Sequence, residues 1–476
     1  MSNNSSKARK TYNNVLDIVV SGLVLTGIFV MSIRHISEPD PFWHIATGNY
    51  ILSSLSIPRF DPFTFTMSHI PWTPTEWLSE VIFSLIFKVA GFPGLILFTS
   101  LAYISTFLIL LLLVRTKKIS PVIILSLLAV IGIDRLRHCH PRPQIFTYIF
   151  LAYFSFALDS FITGRSRRLW HIPLLMVLWV NLHAGALSGL ALIATIVLAE
   201  TIKKFAGSDT ALDGPKIISL VSLLVMTFLA IFLNPNGYDL IPWVLKHPEV
   251  NKGVGNIEFF SMSFSNPAAR SGLILICMLA AFMALSFRSL ELRDILVAGV
   301  FLPPALMMQR ASAEFFIVTF PAFATAISLG MRRLPRRIKW APGKAISALI
   351  PLVVLAAMIA RYLNSAPFVH SLGKDVDPKY YPLSAISFIK KSLKGPVFND
   401  INLGGAFILE TYPEHKAFWD TRFHSDEMYL DTIRKIEGDP VRFQEFLDNY
   451  GIEVGLLEKD SKELSRVMFP TDRWAL

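Results

Sequence analysis

Val15-Leu-Asp-Ile-Val-Val-Ser-Gly-Leu-Val-Leu-Thr-Gly-Ile-Phe-Val-Met-Ser-Ile33 is followed at once by Arg34-His-Ile-Ser-Glu38-Pro-Asp40-Pro-Phe-Trp-His44. As a helix rising about 1.5 Å per residue, the apolar run is long enough to cross a hydrocarbon core of about 30 Å. A basic tail with Lys7, Arg9 and Lys10 precedes it, and no small-residue cleavage site follows. An uncleaved span with its N-terminus inside is expected. The prolines stop the helix, and Trp43 suits the headgroup region. One span thus leads directly into carboxylates and an imidazole at the outer interface.

The rest of the chain is equally apolar. Of 476 residues, 53% are hydrophobic and 17% charged, with mean hydropathy +0.50, whereas soluble chains carry about 25% charged residues. Disordered, coiled-coil and nucleic-acid-binding classes are excluded on these numbers. Cys139 and Cys277 are the two cysteines, too few for a disulfide framework. The net charge of +10 comes from Lys and Arg clustered between apolar runs, the pattern of cytoplasmic loops, so no nucleic-acid partner is expected.

The clusters Arg115/Lys117/Lys118, Arg165/Arg167/Arg168, Lys203/Lys204, Arg288/Arg293 and Arg332/Arg333/Arg336/Arg337/Lys339 are placed in the cytoplasm. Spans then fall at 93–114, 119–133, 144–161, 170–182, 187–202, 217–233, 271–287, 295–308, 315–329 and 345–363. With the first, these make about eleven helices and an external C-terminus. The run 169–202 is too long for one span and basic at both ends, so it is expected to turn at Asn181-Leu-His-Ala-Gly185. In the proline-rich loop 35–91, the pieces 43–55 and 77–89 are helix-like but short, and are expected to lie along the membrane. After Asn364 the charges disperse. Strands at 396–398, 416–419 and 454–457 and helices at 383–393, 425–436 and 440–450 are expected there. The fold class is therefore an all-α polytopic membrane protein with a small C-terminal α/β external domain. It divides into a cytoplasmic tail 1–14, a transmembrane module 15–363 and a soluble domain 364–476.

There is no Walker A loop, no G-x-G-x-x-G, and no cytoplasmic segment large enough to hold a nucleotide. Energy for any chemistry must arrive with a membrane-borne substrate. Asp40, Glu38 and His44 are candidate catalytic groups, because the end of the first span fixes their height. Ile57-Pro-Arg-Phe-Asp61-Pro-Phe and Trp72-Thr-Pro-Thr-Glu76-Trp-Leu-Ser-Glu80 repeat the mixture of carboxylate, proline and aromatic, which fits an ordered cap facing a cleft better than a connecting loop. A solvated loop with an aromatic anchor is the plain alternative.

A second constellation reads Asp134-Arg-Leu-Arg137-His-Cys-His140-Pro-Arg142-Pro-Gln144. Arg135, Arg137 and Arg142 run against the positive-inside bias, and guanidinium forks suit phosphate oxygens. The alternative is a headgroup-binding or salt-bridge cluster. No metal site is expected at His138-Cys139-His140, where adjacent side chains diverge. His183, at the apex of the expected turn, is either on a substrate path or in a structural hydrogen bond. Gln309-Arg310 to Glu314 reads as pairing within its own loop, and Asn234-Pro-Asn-Gly-Tyr238 as a turn. Asn399-Asp400 with Gly404-Gly405, and Trp419-Asp420-Thr-Arg422, fall at expected strand ends, where α/β sheets place ligands. A glycine turn with an Asp420–Arg422 bridge would be the structural alternative.

Asp40-Pro-Phe-Trp-His44, Ile57-Pro-Arg-Phe-Asp61-Pro-Phe, Glu76-Trp-Leu and Arg142-Pro-Gln144 resemble a poorly characterised group of bacterial multi-span proteins. That group is similar to the GT-C glycosyltransferases, such as the protein O-mannosyltransferases and the lipid A aminoarabinose transferase. The resemblance covers roughly the first 200 residues. It implies an acidic catalytic residue in the first external loop and a polyprenyl-phosphate sugar as donor. The sequence departs from those transferases in having Asp40-Pro41 for their Asp-Glu pair and Thr73-Pro74-Thr75-Glu76 for their Lys/His-Pro-Pro element. The phosphate contact is therefore assigned to the arginine cluster.

The expected function is a plasma (inner) membrane glycosyltransferase, inverting and of GT-C type. It would move a sugar from a polyprenyl-phosphate donor to an external glycan, lipid or protein acceptor. Asp40 is its general base, with Glu38 the nearest competitor and His44 placed to orient either group, and Asp61, Glu76, Arg135, Arg137, Arg142, Gln144, His183, Asp420 and Arg422 bind substrate. No cofactor and no metal are indicated. A glycan polymerase or ligase would carry its large loop late in the chain, and a lipid-glycan flippase or transporter would show charges in mid-helix or inverted repeats.

Overall fold

A computed structural model describes residues 2–117, 119–333, 344–364, 376–422, 434–436, 439–459, 461 and 474. Every segment read as a span is a helix. These are α1 (Ser2–Ser32), α3 (Trp77–Arg115), α4 (Pro121–Asp134), α5 (Gln144–Ile162), α6 (His171–Leu182), α7 (Ala186–Phe205), α8 (Gly214–Ile231), α10 (Pro267–Ser286), α11 (Leu292–Met307), α12 (Ala311–Arg333) and α13 (Lys344–Asn364). Between them lie α2 (Asp40–Ser54) and α9 (Leu240–Gly253). Among the described residues, 8 helices are long and apolar enough to cross a membrane. α4 and α6 are apolar but shorter, and α11 has 16 residues, so length alone does not reach the expected eleven.

Local chemistry sets the helix ends. Pro121 opens α4 after Ser120, where a missing N–H costs nothing. The Asp213 carboxylate accepts the Lys216 backbone N–H at 2.9 Å and caps α8. The turn expected in the 169–202 run falls between Leu182 and Ala186.

In the first loop the expected piece 77–89 is helical and is separated from the span by a kink at Gly91, whose backbone (φ 60°, ψ −158°) is not helical, so α3 is two helices meeting at that residue. α2 packs closely on the first of them at Gly48, where an added Cβ would stand 2.0 Å from the Glu80 carbonyl oxygen. This close approach brings His44, one turn earlier, beside Glu80.

In the C-terminal segment α14 (Leu383–Ser392), β1 (Val397–Asn399), α15 (Ile401–Thr411), α16 (Pro440–Asn449) and β2 (Val454–Leu456) follow in order. β1 and β2 pair in parallel. Residues 416–419 do not join them. Ala417 N–H donates to the Phe63 carbonyl at 3.0 Å, and Phe65 N–H donates to the Ala417 carbonyl at 3.1 Å. Pairing with the first loop is preferred because Phe63 is fully buried among residues of both segments. The glycine pair, expected at a strand end as part of a ligand site or, in the structural alternative, as a turn, lies inside α15, where its missing side chains let the helix touch Trp419-Asp420 at Gly404 and Pro39 and Trp43 at Gly405. Of the expected helix 425–436, Arg434–Ile436 is helical. The rest, like Arg336, Arg337 and Lys339, lies outside the described residues.

Two cores result. One joins the membrane-segment helices. The other unites Ile36, Phe42 and Phe63 of the first loop with Ile386, Phe407 and Leu456 of the C-terminal segment. Phe42 stacks on Tyr381 with ring centroids 5.1 Å apart.

Candidate active site between the first loop and the C-terminal segment

Arg142, just ahead of α5, is the electrostatic centre of the site. Its guanidinium reaches Glu38 at 2.7 Å, Asp40 at 2.9 Å and Glu258 at 3.0 Å. One cation among three carboxylates leaves a surplus of negative charge. Burial pushes Glu38 up to about 8 against the pull of Arg142, with Asp40 and Glu258 adding to the rise. Arg142 keeps Glu258 below its usual range although burial opposes this. The three carboxylates hold Arg142 firmly protonated despite its burial.

Asp40 is the first residue of α2, with Pro39 in the capping position and no side-chain cap bond, so it is not the helix cap. Its Oδ1 accepts the Thr421 hydroxyl at 2.6 Å and lies 3.4 Å from Trp43 Nε1. A residue near the far end of the chain thus touches the leading catalytic candidate.

Below this group, His44 Nδ1 lies 3.3 Å from Glu80 Oε1. Burial, with Arg142 nearby, lowers His44 well below the usual histidine range. Glu76 is raised to about 7, chiefly by burial and then by Asp40, with Arg310 opposing. Glu76 Oε1 lies 3.8 Å from His183 Nε2. The tautomer of His183 follows from its partners. Trp179 Nε1–H donates to the Thr147 hydroxyl oxygen at 2.9 Å, which leaves the Thr147 hydrogen for His183 Nδ1 at 2.8 Å. Gly185 N–H donates to the same Nδ1 at 3.1 Å. Nδ1 is therefore an acceptor and Nε2 carries the hydrogen facing Glu76. His183 makes the structural hydrogen bond and also borders a cavity.

These groups line a polar cavity of about 750 Å³ bounded by the first loop, the 236–258 region and the C-terminal segment. A second cavity of about 290 Å³, walled mainly by apolar residues such as Leu187, Val244, Phe259, Phe301 and Met308, adjoins it. The two share Glu76, His183, Trp243, His247 and Arg310. Arg310 lies 4.7 Å over the Phe259 ring and donates to Gln144 Oε1 at 3.2 Å, so it reaches another loop instead of pairing within its own.

Asp40, His44, Glu76, Arg142, Gln144, His183 and Arg422 line the polar cavity, and Glu38 stands behind Arg142. Arg135, Arg137, Asp61 and Asp420 do not line it. Arg135 is buried, pairs with Asp134 and donates to Ser312 at 2.5 Å. Arg137 Nε donates to His138 Nε2 at 3.2 Å. Successive arginines after α4 face different ways, so the cluster divides. Asp61 and Asp420 hold Arg422, at 2.9 Å and 2.6 Å respectively, and its guanidinium lies 4.4 Å over the Trp72 ring. The alternative of a structural Asp420–Arg422 bridge is the arrangement found. Glu258, Trp243, His247 and Thr421 were missed in the sequence, where no motif marks them.

Fold and site together define a polytopic membrane protein with a polar cleft at one end of its helices, roofed by its own C-terminal segment. No protein-family model matches the sequence, and no curated protein matches it. Solved structures do match in fold. The oligosaccharyltransferase of Archaeoglobus fulgidus in its apo form aligns over 93% of this chain and 69% of its own, with TM-score 0.58 at 12% identity. The same archaeal enzyme in complex with an inhibitory peptide and a dolichol-phosphate aligns over the same shares, with TM-score 0.60 at 11% identity. A form tethered to an acceptor peptide aligns over 87% and 65%, with TM-score 0.55 at 13% identity. The fold is thus that of an oligosaccharyltransferase, while the particular O-mannosyltransferase and aminoarabinose transferase likeness has no counterpart in these matches.

Proposed function

We propose that this chain is a multi-pass glycosyltransferase of the plasma (inner) membrane, with its N-terminus cytoplasmic and the cleft on the external face. It transfers a sugar from a polyprenyl-phosphate donor to an external acceptor. The observation that carries this reading is the junction of a polar cavity with an apolar one at Arg310. A prenyl-linked sugar phosphate has the same two-part chemistry, an apolar chain and a polar head joined by an anion. The phosphate is assigned to Arg310 in place of the earlier cluster, because Arg142 is committed to Glu38, Asp40 and Glu258. The shared fold with a protein solved in complex with a dolichol-phosphate is consistent with this.

In the transfer, the bond from the anomeric carbon to the donor phosphate oxygen breaks and a bond to the acceptor oxygen forms. The acceptor proton passes to Asp40, and polyprenyl phosphate leaves with the bonding electrons. An acceptor hydroxyl replacing that of Thr421 would meet the same Asp40 lone pair. A positioned base contributes roughly 10² to 10⁴ in rate. Asp40→Asn should lose most of this with folding and donor binding intact, and near-normal transfer would remove Asp40 from the role. For the function itself, glycans and glycolipids of a strain lacking the protein are compared with its parent by mass spectrometry. Purified protein in nanodiscs, supplied with an envelope extract of the deletion strain as the source of acceptor, should also release polyprenyl phosphate from polyprenyl-phosphate sugars. Unchanged glycans together with no release would refute the reading.

A further inference from the structure

His44 on α2 and Glu76 and Glu80 at the start of α3 bring three potential metal-binding atoms within 4.8 Å of one another. Among the described residues no other group of histidine, cysteine and carboxylate side chains is gathered this way. Glu76 and Glu80 are one helical turn apart, and Gly48 lets α2 approach closely enough to add the imidazole. All three face the polar cavity. Neither carboxylate forms an ion pair with a lysine or arginine among the described residues. Glu38 and Asp40, by contrast, already share the Arg142 cation.

A second observation is independent of the clustering. Glu80 is fully buried, and its Oε2 has no hydrogen-bond partner among the described residues. A buried carboxylate oxygen without a partner is costly, and a cation held by the Glu80 carboxylate would offset that cost.

We propose that His44, Glu76 and Glu80 form a binding site for one first-row divalent cation of the Mn²⁺ or Zn²⁺ type. The mixed nitrogen and oxygen donors suit these ions better than Ca²⁺, which takes about six to eight oxygens. Two carboxylates balance the ion's charge. Ligands around such an ion stand about 3.0–3.4 Å apart, so the site closes by small side-chain movements from the separations present. Three protein ligands leave positions open toward the cavity, where a water or a substrate oxygen would bind. The proposal does not depend on the transferase reading, since it concerns binding alone.

The full-length protein, stripped with a chelator in detergent, is titrated with Mn²⁺ while the electron paramagnetic resonance signal of free aqueous Mn²⁺ is followed. Zn²⁺ is titrated separately by calorimetry. Saturable binding of one equivalent is expected, weakened about tenfold or more in Glu80→Gln and in His44→Gln. Glu80→Gln keeps the shape and a hydrogen-bonding group for His44, and its metal-free melting temperature shows whether it folds. Glu76→Gln serves as the second variant should it not. Absence of saturable binding of either ion, or affinity unchanged in the folded variants, would overturn the proposal whatever the protein's activity.

Discussion

Replacing Arg142 by Gln removes one cation from three carboxylates while keeping part of the aliphatic stem and a polar, hydrogen-bonding end. Glu38, Asp40 and Glu258 lie 2.7, 2.9 and 3.0 Å from the guanidinium, and their side chains are 9%, 22% and 29% exposed. Breaking a buried ion pair by removing one partner costs about 3–5 kcal/mol. The loss here is not three times that, because the carboxylates share one cation and also repel one another. Solvent screens the two more exposed members. Glu38, already inclined to hold a proton, escapes part of the penalty by staying neutral. We expect a loss of about 3 kcal/mol. Combining Arg142→Gln with Glu38→Gln removes the most buried carboxylate, so the double variant should be more stable than additivity requires, by about 1–3 kcal/mol. Arg142→Lys keeps the charge but replaces a planar fork with a point charge, and should fall between. The assay is unfolding by SDS titration in mixed micelles, followed by tryptophan fluorescence. A loss below about 1 kcal/mol in Arg142→Gln, or additivity with Glu38→Gln, would show that Arg142 does not organise these carboxylates.

Three further outcomes are expected. Glu38, raised to about 8, holds a proton in the folded form that the unfolded chain has released above its ordinary value of 4.5. Its contribution to stability therefore falls as pH rises through that interval, by up to roughly 1 kcal/mol per pH unit, and levels off above it. Glu76 adds in the same sense up to about 7. Melting temperatures across this range should decline less steeply in Glu38→Gln, and an identical slope would contradict the assignment. Gly404→Ala would place a Cβ 2.1 Å from the Trp419 carbonyl oxygen and 2.8 Å from the Asp420 Cα. It should destabilise by about 1–3 kcal/mol and speed proteolysis of the C-terminal segment. Stabilisation, the usual result of this change in an open helix, would show that the contact is not tight. Reporter fusions after Arg168 and Leu363 should read inside and outside respectively, and an inside result at Leu363 would displace the C-terminal segment from an external site.

The helices were readable because long apolar runs between basic clusters have few other outcomes. Asp40, His44, Glu76, Arg142 and His183 were readable because charged or titratable groups beside apolar spans need a reason to be there. The rest depends on contacts without a local signature. Thr421 meets Asp40 across 381 residues, and Arg310 meets Gln144 across 166, so each looks ordinary among its own neighbours. Gly404 and Gly405 leave a ligand loop, a turn and a close helix approach all open in sequence, because glycine serves each of them equally well. Arg135, Arg137 and Arg142 have the same chemistry in sequence, and only the backbone after α4 determines which faces the cleft.

The apolar core shared by Phe42 and Phe63 with Phe407 and Leu456 sets a timetable for biogenesis. Synthesis proceeds at about 5–20 residues per second, so the 381 positions from Asp40 to Thr421 take about 20–80 s to emerge. Throughout that interval the loop after α1 has left the ribosome while the surface that covers its aromatic side chains does not yet exist. A chain that stalls or is cut short after α13 would keep those side chains uncovered. Such truncated products should be held by chaperones or cleared by proteases, even with every span correctly inserted.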